Sequence, residues 1–229
     1  MNTCPDHKIE IIREHLPPSY NTFLDEVIHT ANSAGVQIQL INQPHVYCND
    51  ETSCAGYFID SPIPTLSVAC DKPKDSWFQT LIHESCHMDQ WIENSPYWTN
   101  AKVLGIEAVG IIELWVQRYI EMHEMQKWHI IRLARNLELD CERRAVRKIR
   151  NLVLPVDIEA YARGANAYVL YYNTIGEERA WYKPGKAPYE LAEVLSLMPS
   201  IVVHYDEWYE PYNMSPTIKN ALRNCLKEG

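Results

Sequence analysis

The stretch LIHESCHMDQW, residues 81–91, carries two histidines four positions apart, His83 and His87, with Glu84 directly after the first. If this stretch is helical, residues four apart lie on one face, one turn from each other. Both imidazoles can then reach one metal ion, and zinc suits imidazole nitrogen at about 2.0–2.1 Å. The residue types and spacing therefore predict a zinc site with His83 and His87 as metal ligands.

Glu84 is rotated by roughly 100° around the helix from His83, so it lies beside the ligand set and not within it. A carboxylate in that place suits a general base acting on a water that zinc activates. The alternative is an accidental spacing, since the chain has nine histidines. The predicted apolar side of the helix carries Phe78, Leu81 and Ile92, whereas both histidines share the other side with Gln79 and Gln90. Histidines that avoid the apolar stripe favour metal binding over packing in the core.

The elements that must position this helix follow from periodicity, caps and breakers. Strands are predicted first and most helices follow, an order typical of an α+β fold. No linker-like composition divides the chain, so we expect one domain over residues 1–229, with segments 1–75, 76–154 and 155–229. The predicted strands are 36–41, 55–60 and 64–70; the predicted helices are 6–15, 19–32 ended by Gly35, 76–94, 101–125, 128–153, 158–173 capped by Asp157, and a short one from Ser215.

Composition and charge exclude several classes of function. Lys plus Arg total 21 and Asp plus Glu total 30, which gives a net charge of -9. That balance argues against a nucleic-acid partner, which needs a positive surface. The longest apolar stretch, residues 108–120, is interrupted by Glu113 and Arg118 and is too short and too polar to span a bilayer. We therefore expect a soluble, cytoplasmic protein with no membrane partner.

The cysteines predict no second metal site. Seven are present and none forms a Cys-x-x-Cys pair. Without an export signal at the N-terminus, free thiols are expected rather than a disulfide framework.

The order helix, strand, hairpin, then a strand directly before an HExxH helix resembles the zincin metallopeptidases, over roughly residues 20–150. The specific motif is HESCH, residues 83–87. The resemblance implies a Zn²⁺ cofactor and a protein or peptide substrate. It also implies that the last strand before the motif, TLSVAC at 65–70, is an open sheet edge to which an extended substrate adds as a further strand.

A catalytic zinc takes three protein ligands and keeps one position open. The metzincin pattern is excluded, because Gln90 and Glu93 stand where that subclass has its glycine and third histidine. The gluzincin pattern takes a Glu from a later helix, and this resemblance indicates Glu138 as the third ligand. Glu142, four residues on, then corresponds to the acid that hydrogen-bonds a zinc histidine in the second shell.

Two other candidates for the third ligand and one non-ligand explanation of the glutamates stay open. Glu107 follows His87 by 20 positions, as in thermolysin-like enzymes, but Ile111 stands where those enzymes have an acid. Glu142 is the second alternative, with Glu138 behind it. The third is that these glutamates form ordinary ion pairs with arginines such as Arg135.

The function predicted is that of a zinc metalloendopeptidase, a hydrolase that cleaves peptide bonds through a zinc-activated water with Glu84 as general base. The alternative is a non-catalytic zinc-binding regulatory or interaction protein on the same frame. ELDCE, ANAY and KPGKAPY also resemble uncharacterised phage-encoded HExxH proteins, which implies the host cytoplasm. Candidates for stabilising the oxyanion are left unranked: Tyr168, Tyr171, Tyr172 and His204.

Overall fold

The computed structural model describes residues 16–48 and 52–226, and the helix predicted for 6–15 lies outside them. The described part is an α+β protein with small sheets, as predicted. Its helices include none that is both long enough and apolar enough to cross a membrane. The chain forms two compact units: the first takes the described residues up to Ser95 together with Arg147–Val156, and the second takes Pro96–Val146 and the residues from Asp157 onward.

The first unit opens with helix α1, Pro18–Ala34. Gly35 ends it in the left-handed conformation, with φ 73°, and its N–H bonds to carbonyls of the last turn. A glycine adopts this conformation without the steric penalty of a Cβ atom. The predicted end of this helix is thus confirmed.

A three-stranded sheet follows, in the order β1-β5-β4. Strand β1 is Gln37–Ile41, β4 is Gly56–Ile59 and β5 is Thr65–Ala69. Strand β5 pairs in parallel with β1 and antiparallel with β4. These are the three predicted strands, with bounds one or two residues shorter. A hairpin of β2, Val46–Cys48, and β3, Thr52–Cys54, was not predicted, because three-residue strands show no usable alternation.

The expectation that TLSVAC forms an open edge is wrong. Strand β5 is the central strand, and Leu66 has Ile38 opposite it on one side and Phe58 on the other. All five residues of β5 are buried. Residues in a central strand covered on both faces need to be small or apolar, and this strand meets that need. The sheet edges are β1 and β4.

Helix α2, Lys74–Ile92, carries the HESCH motif and confirms the helix predicted for 76–94. Its first turn is fixed to α1 by a 2.7 Å hydrogen bond from the Tyr20 hydroxyl to Asp75. Its later turns bind Lys148, whose Nζ lies 2.8 Å from an Asp89 oxygen and 2.9 Å from the Ser85 hydroxyl. Apolar residues of the same helix, Phe78 and Leu81 among them, are fully buried. The motif therefore stands on a helix that is held by several contacts within its own unit.

In the second unit the helix predicted for 101–125 is largely wrong. A short helix α3, Pro96–Asn100, is followed by a hairpin of β6, Lys102–Val103, and β7, Ile106–Glu107, and only then by helix α4, Ala108–Val116. Leu104 and Gly105 have positive φ, 53° and 82°, and form the turn between the two strands. Arg118 has φ 67° soon after the end of α4. Backbone in this region interrupts a right-handed helix.

The remaining predicted helices are confirmed. Helix α5, Glu124–Asn151, contributes its residues up to Val146 to the second unit. Asp157 caps helix α6 as expected, because its side chain accepts from the N–H groups of Glu159 and Ala160. The elements that complete this part are α6, Ile158–Glu178; α7, Ala192–Leu195; two 3-10 turns, Asp206–Tyr209 and Pro211–Asn213; and α8, Pro216–Asn224, capped by Ser215.

Candidate metal centre

The two histidines of α2 face each other across one helical turn. The Nε2 atoms of His83 and His87 are 3.2 Å apart, and the rings are 4.8 Å apart with planes at 82°. His87 is buried and His83 is half-buried. The spacing in the sequence thus brings the two imidazoles together on one face, as predicted.

Gln90 fixes the protonation of the His87 ring. The Gln90 Oε1 atom lies 2.8 Å from His87 Nδ1, and an amide oxygen can only accept. His87 therefore donates from Nδ1–H, and in the neutral ring Nε2 carries the lone pair. A hydrogen bond from the second ring nitrogen is what orients most metal-binding histidines.

The separation of the two Nε2 atoms fits a shared zinc ion. Two nitrogens bound to zinc at tetrahedral angles, each at 2.0–2.1 Å, lie about 3.3–3.4 Å apart. The observed 3.2 Å is close to that distance. Without an ion, the same contact is satisfied when His83 Nε2–H donates to His87. A zinc ion would replace that proton and take both lone pairs, so the residues present fit the metal.

Glu84 lies against strand β4. The residue is 8% exposed. A Cβ atom added to Gly56 of β4 would meet the Glu84 Cγ atom at 3.1 Å and the Thr80 Cγ2 atom at 2.6 Å. Only glycine lets the strand pass this close to the helix. The glycine therefore places the general-base candidate directly beside an edge strand.

Glu84 also acts on a nearby thiol. The pKa of Cys54 is raised to about 12, first by burial and then by the negative charge of Glu84. Cys54 ends strand β3, two residues before Gly56. The thiol is thus kept protonated and unreactive at neutral pH.

Glu138, the predicted third ligand, is buried on α5 with 5% exposed. The Tyr172 hydroxyl donates to its Oε1 atom at 3.4 Å, and the Tyr168 hydroxyl lies 3.2 Å from that of Tyr172. Burial, and then the charge of Glu138, hold the pKa of both tyrosines well above its usual value. Since Tyr172 gives its single proton to Glu138, Tyr168 donates in the other bond.

Cys141 and Glu138 are both buried on α5. Both belong to the second unit, whereas His83 and His87 belong to the first. The role of Glu138 as the third ligand stays a prediction.

The other predicted site residues fall into three places. Glu142 is buried one residue after Cys141, and its second-shell role stays a prediction. Glu107 is half-buried in β7, and His204 is exposed in the chain before the first 3-10 turn. Tyr171 is buried, and its ring packs against that of Tyr182 at 5.5 Å.

Sequence reasoning missed the roles of Gln90 and Gly56. Gln90 follows His87 by three positions, a spacing at which helical side chains meet, so its role was detectable from the sequence. Gly56 gave no local signal, because its closeness to Glu84 depends on how the strand packs.

Comparison with protein-family models, with curated proteins and with solved structures finds no match to this chain.

Proposed function

We propose that the protein is a zinc-dependent metalloendopeptidase with a zincin-like arrangement, in which His83 and His87 bind the ion and Glu84 is the general base. The observation that carries the proposal is the 3.2 Å approach of two imidazole Nε2 atoms while Gln90 holds the His87 proton on Nδ1. A pair of histidines that merely packed in the core would have no need for this orientation. The buried carboxylate beside them is the second support.

A bound zinc ion supplies Lewis acidity, which lowers the pKa of water to about 7. Glu84 would take up the proton that the activated water loses. It follows His83 in the chain, so it lies beside the two histidines but projects in a different direction from the helix axis. The same carboxyl can then give the proton to the leaving amine of the substrate. Its burial limits the access of bulk water to this transfer.

The substrate strand is proposed to lie along β4. This strand is an edge of the sheet, runs antiparallel to β5 and passes against Glu84 at Gly56. An extended peptide can add to such an edge through main-chain hydrogen bonds. The proposed substrate-binding edge is therefore β4, residues 56–59, and not residues 65–70, which the resemblance indicated.

The proposal is tested by metal content and peptide cleavage, measured on the wild type and on Glu84→Gln. We expect near one zinc per chain in both, by elemental analysis. Turnover should fall by about 10²–10⁴-fold in the variant, which is the usual contribution of a general base. Activity that survives in Glu84→Gln would show that Glu84 is not the base.

The same experiment separates the alternative function. Zinc in both proteins, with no cleavage of a broad peptide library by either, would support a non-catalytic zinc-binding protein. Absence of metal from wild type purified without chelators would remove both zinc functions.

The third ligand is tested on Glu138, the residue that the sequence predicts. Its carboxylate is buried on α5 and accepts a bond from Tyr172. We expect Glu138→Gln to lower the zinc content, and Glu107→Gln, the matched carboxylate control, to retain it. Loss of zinc in Glu107→Gln together with retention in Glu138→Gln would instead identify Glu107 as the ligand.

A further inference from the structure

A second site is indicated in the second unit, at a pocket of about 660 Å³ between the first turns of α5 and the chain from Glu210 to Lys219. This volume falls within the range of small-molecule sites. Its lining combines aromatic and apolar side chains with several cations. Such a mixture, apolar walls with a few convergent polar groups, is typical of ligand sites.

Two large aromatic side chains form part of the pocket wall. Trp128 and Tyr212 both line it. The Trp128 indole is fixed by a 2.7 Å hydrogen bond from its Nε1 to Glu124. Tyr212 is 77% exposed, although its ring offers a large apolar surface. A flat apolar ligand would cover this surface, and aromatic stacking favours a ring.

The ion pairs among the described residues of the pocket include all of its charged side chains except one arginine. Arg135 is paired with Glu210 at 2.5 Å, and Lys219 with Glu177 at 3.0 Å. Glu124 is paired with Lys127 at 2.8 Å. The remaining guanidinium, that of Arg132, has no hydrogen bond or ion pair with any residue in the described ranges, and it is exposed at the pocket.

Arg135 forms part of the lining, but its charge is balanced by Glu210. Its side chain is 2% exposed, and its guanidinium donates to Asn173, to the Tyr209 carbonyl and to Glu210. Arg135 therefore belongs to the wall of the pocket, and Arg132 is the cation available to a ligand.

We propose that this pocket binds a small aromatic carboxylate, with its ring against Trp128 and Tyr212 and its carboxylate on the Arg132 guanidinium. Guanidinium and carboxylate match in geometry and form two parallel charge-assisted bonds. The proposal does not depend on whether the histidine pair binds zinc.

The test is calorimetric titration of the full-length wild type with indole-3-acetate and phenylacetate, each against its neutral amide. We expect the acids to bind at least about tenfold more tightly than the amides, as one charge-assisted pair implies. Arg132→Met should abolish the preference for the acid. Arg147→Met is the matched control, because Arg147 is exposed on the same helix and has no partner in the described part of the chain.

A second pair of variants tests the aromatic wall. Tyr212→Ser should weaken the binding of both the acids and the amides. Tyr119→Ser should leave it unchanged, since Tyr119 is 74% exposed but does not line the pocket. The proposal is overturned if neither acid binds the wild type, if acid and amide bind alike, or if the acid preference survives in Arg132→Met.

Discussion

Two buried polar clusters of this chain differ in how their hydrogen bonds are completed. Around Arg135, the guanidinium donates to Asn173 Oδ1 at 3.0 Å, to the Tyr209 carbonyl at 2.8 Å and to Glu210. Asn173 donates to the same carbonyl at 2.7 Å. Each of these contacts joins a donor to an acceptor of complementary charge or polarity.

The histidine pair of α2 is built differently. The contact at its centre joins two chemically identical nitrogens, and only one of them can donate. Gln90 determines which nitrogen of His87 keeps its lone pair. We propose that a metal ion completes this cluster, where it would replace the proton shared by the two nitrogens.

Burial alone does not distinguish these two clusters. Arg135 and His87 are both buried and both lie in polar clusters. We propose that the first cluster stabilises the fold and that the second provides metal ligands. Buried polar networks that are satisfied by the chain itself increase rigidity and specificity. The comparison therefore predicts large effects on stability in one cluster and large effects on metal binding in the other.

The largest effect on folding is expected for Arg135→Met. The substitution leaves the Glu210 carboxylate and the Asn173 Oδ1 atom without the donor that Arg135 supplies, so the free energy of unfolding should fall by about 3 kcal/mol. Denaturant unfolding measures it. Arg223→Met is the control, because its ion pair with Glu178 is 44% exposed on the arginine side and should contribute less than about 1 kcal/mol.

For the histidine pair, we expect denaturant unfolding to show only a small change in the free energy of unfolding. In metal-free protein, His83→Gln should change the free energy of unfolding by less than about 1 kcal/mol, since the ring is half-buried and stands on the polar side of α2. With zinc present, the wild type should gain stability and the variant should not. A loss in metal-free His83→Gln as large as that in Arg135→Met would show that the comparison is wrong.

The next effect concerns Gln90→Leu. The substitution removes the acceptor of His87 Nδ1–H, so the ring is no longer held with its Nε2 lone pair toward His83. We expect the affinity for zinc to fall by about 10–100-fold, which is the usual cost of losing such a partner. Competition with a chromogenic chelator measures the affinity.

Gln79→Leu is the matched control, because it makes the same change on the same helix at a half-buried side chain with no hydrogen bond to a described residue. Equal losses of affinity in both variants would indicate a general effect of leucine on α2. In that case the orientation of His87 by Gln90 would not be supported.

The sequence predicted what depends on local spacing. His83 and His87 meet because helical residues four apart share a face, and the Asp157 cap forms from contacts within three residues. The order of the strands needs pairings between distant residues, such as Gln37 with Thr65, and periodicity contains no such information. For this reason β5 was predicted as an edge although it lies in the centre.

The same limit applies to the site. The proximity of Gly56 to Glu84 arises from packing of a strand on a helix, and no pattern in either segment indicates it. The third ligand depends on tertiary placement, so spacing alone left several residues open. The hairpin around Leu104 depends on positive φ values at Leu104 and Gly105. Of these two residues, only glycine indicates such a conformation from the sequence.

The smallest effect expected tests the charge of Glu84 through its neighbour Cys54. The pKa of this thiol is raised to about 12, and Glu84 is the largest cause after burial. In Glu84→Gln the negative charge is gone, so the pKa of Cys54 should fall and its thiolate fraction at pH 8–9 should rise a few-fold. Cys70 also has its pKa raised to about 12, by burial and without a contribution from Glu84.

Residue-resolved alkylation with iodoacetamide, followed by mass spectrometry, compares the two thiols in one sample. We expect the Cys54 rate to rise in Glu84→Gln while the Cys70 rate stays the same. Equal increases would mean that the substitution has loosened the packing around both thiols. No change at Cys54 would mean that the Glu84 charge does not act on β3, and the placement of Glu84 beside the strands would have to be revised.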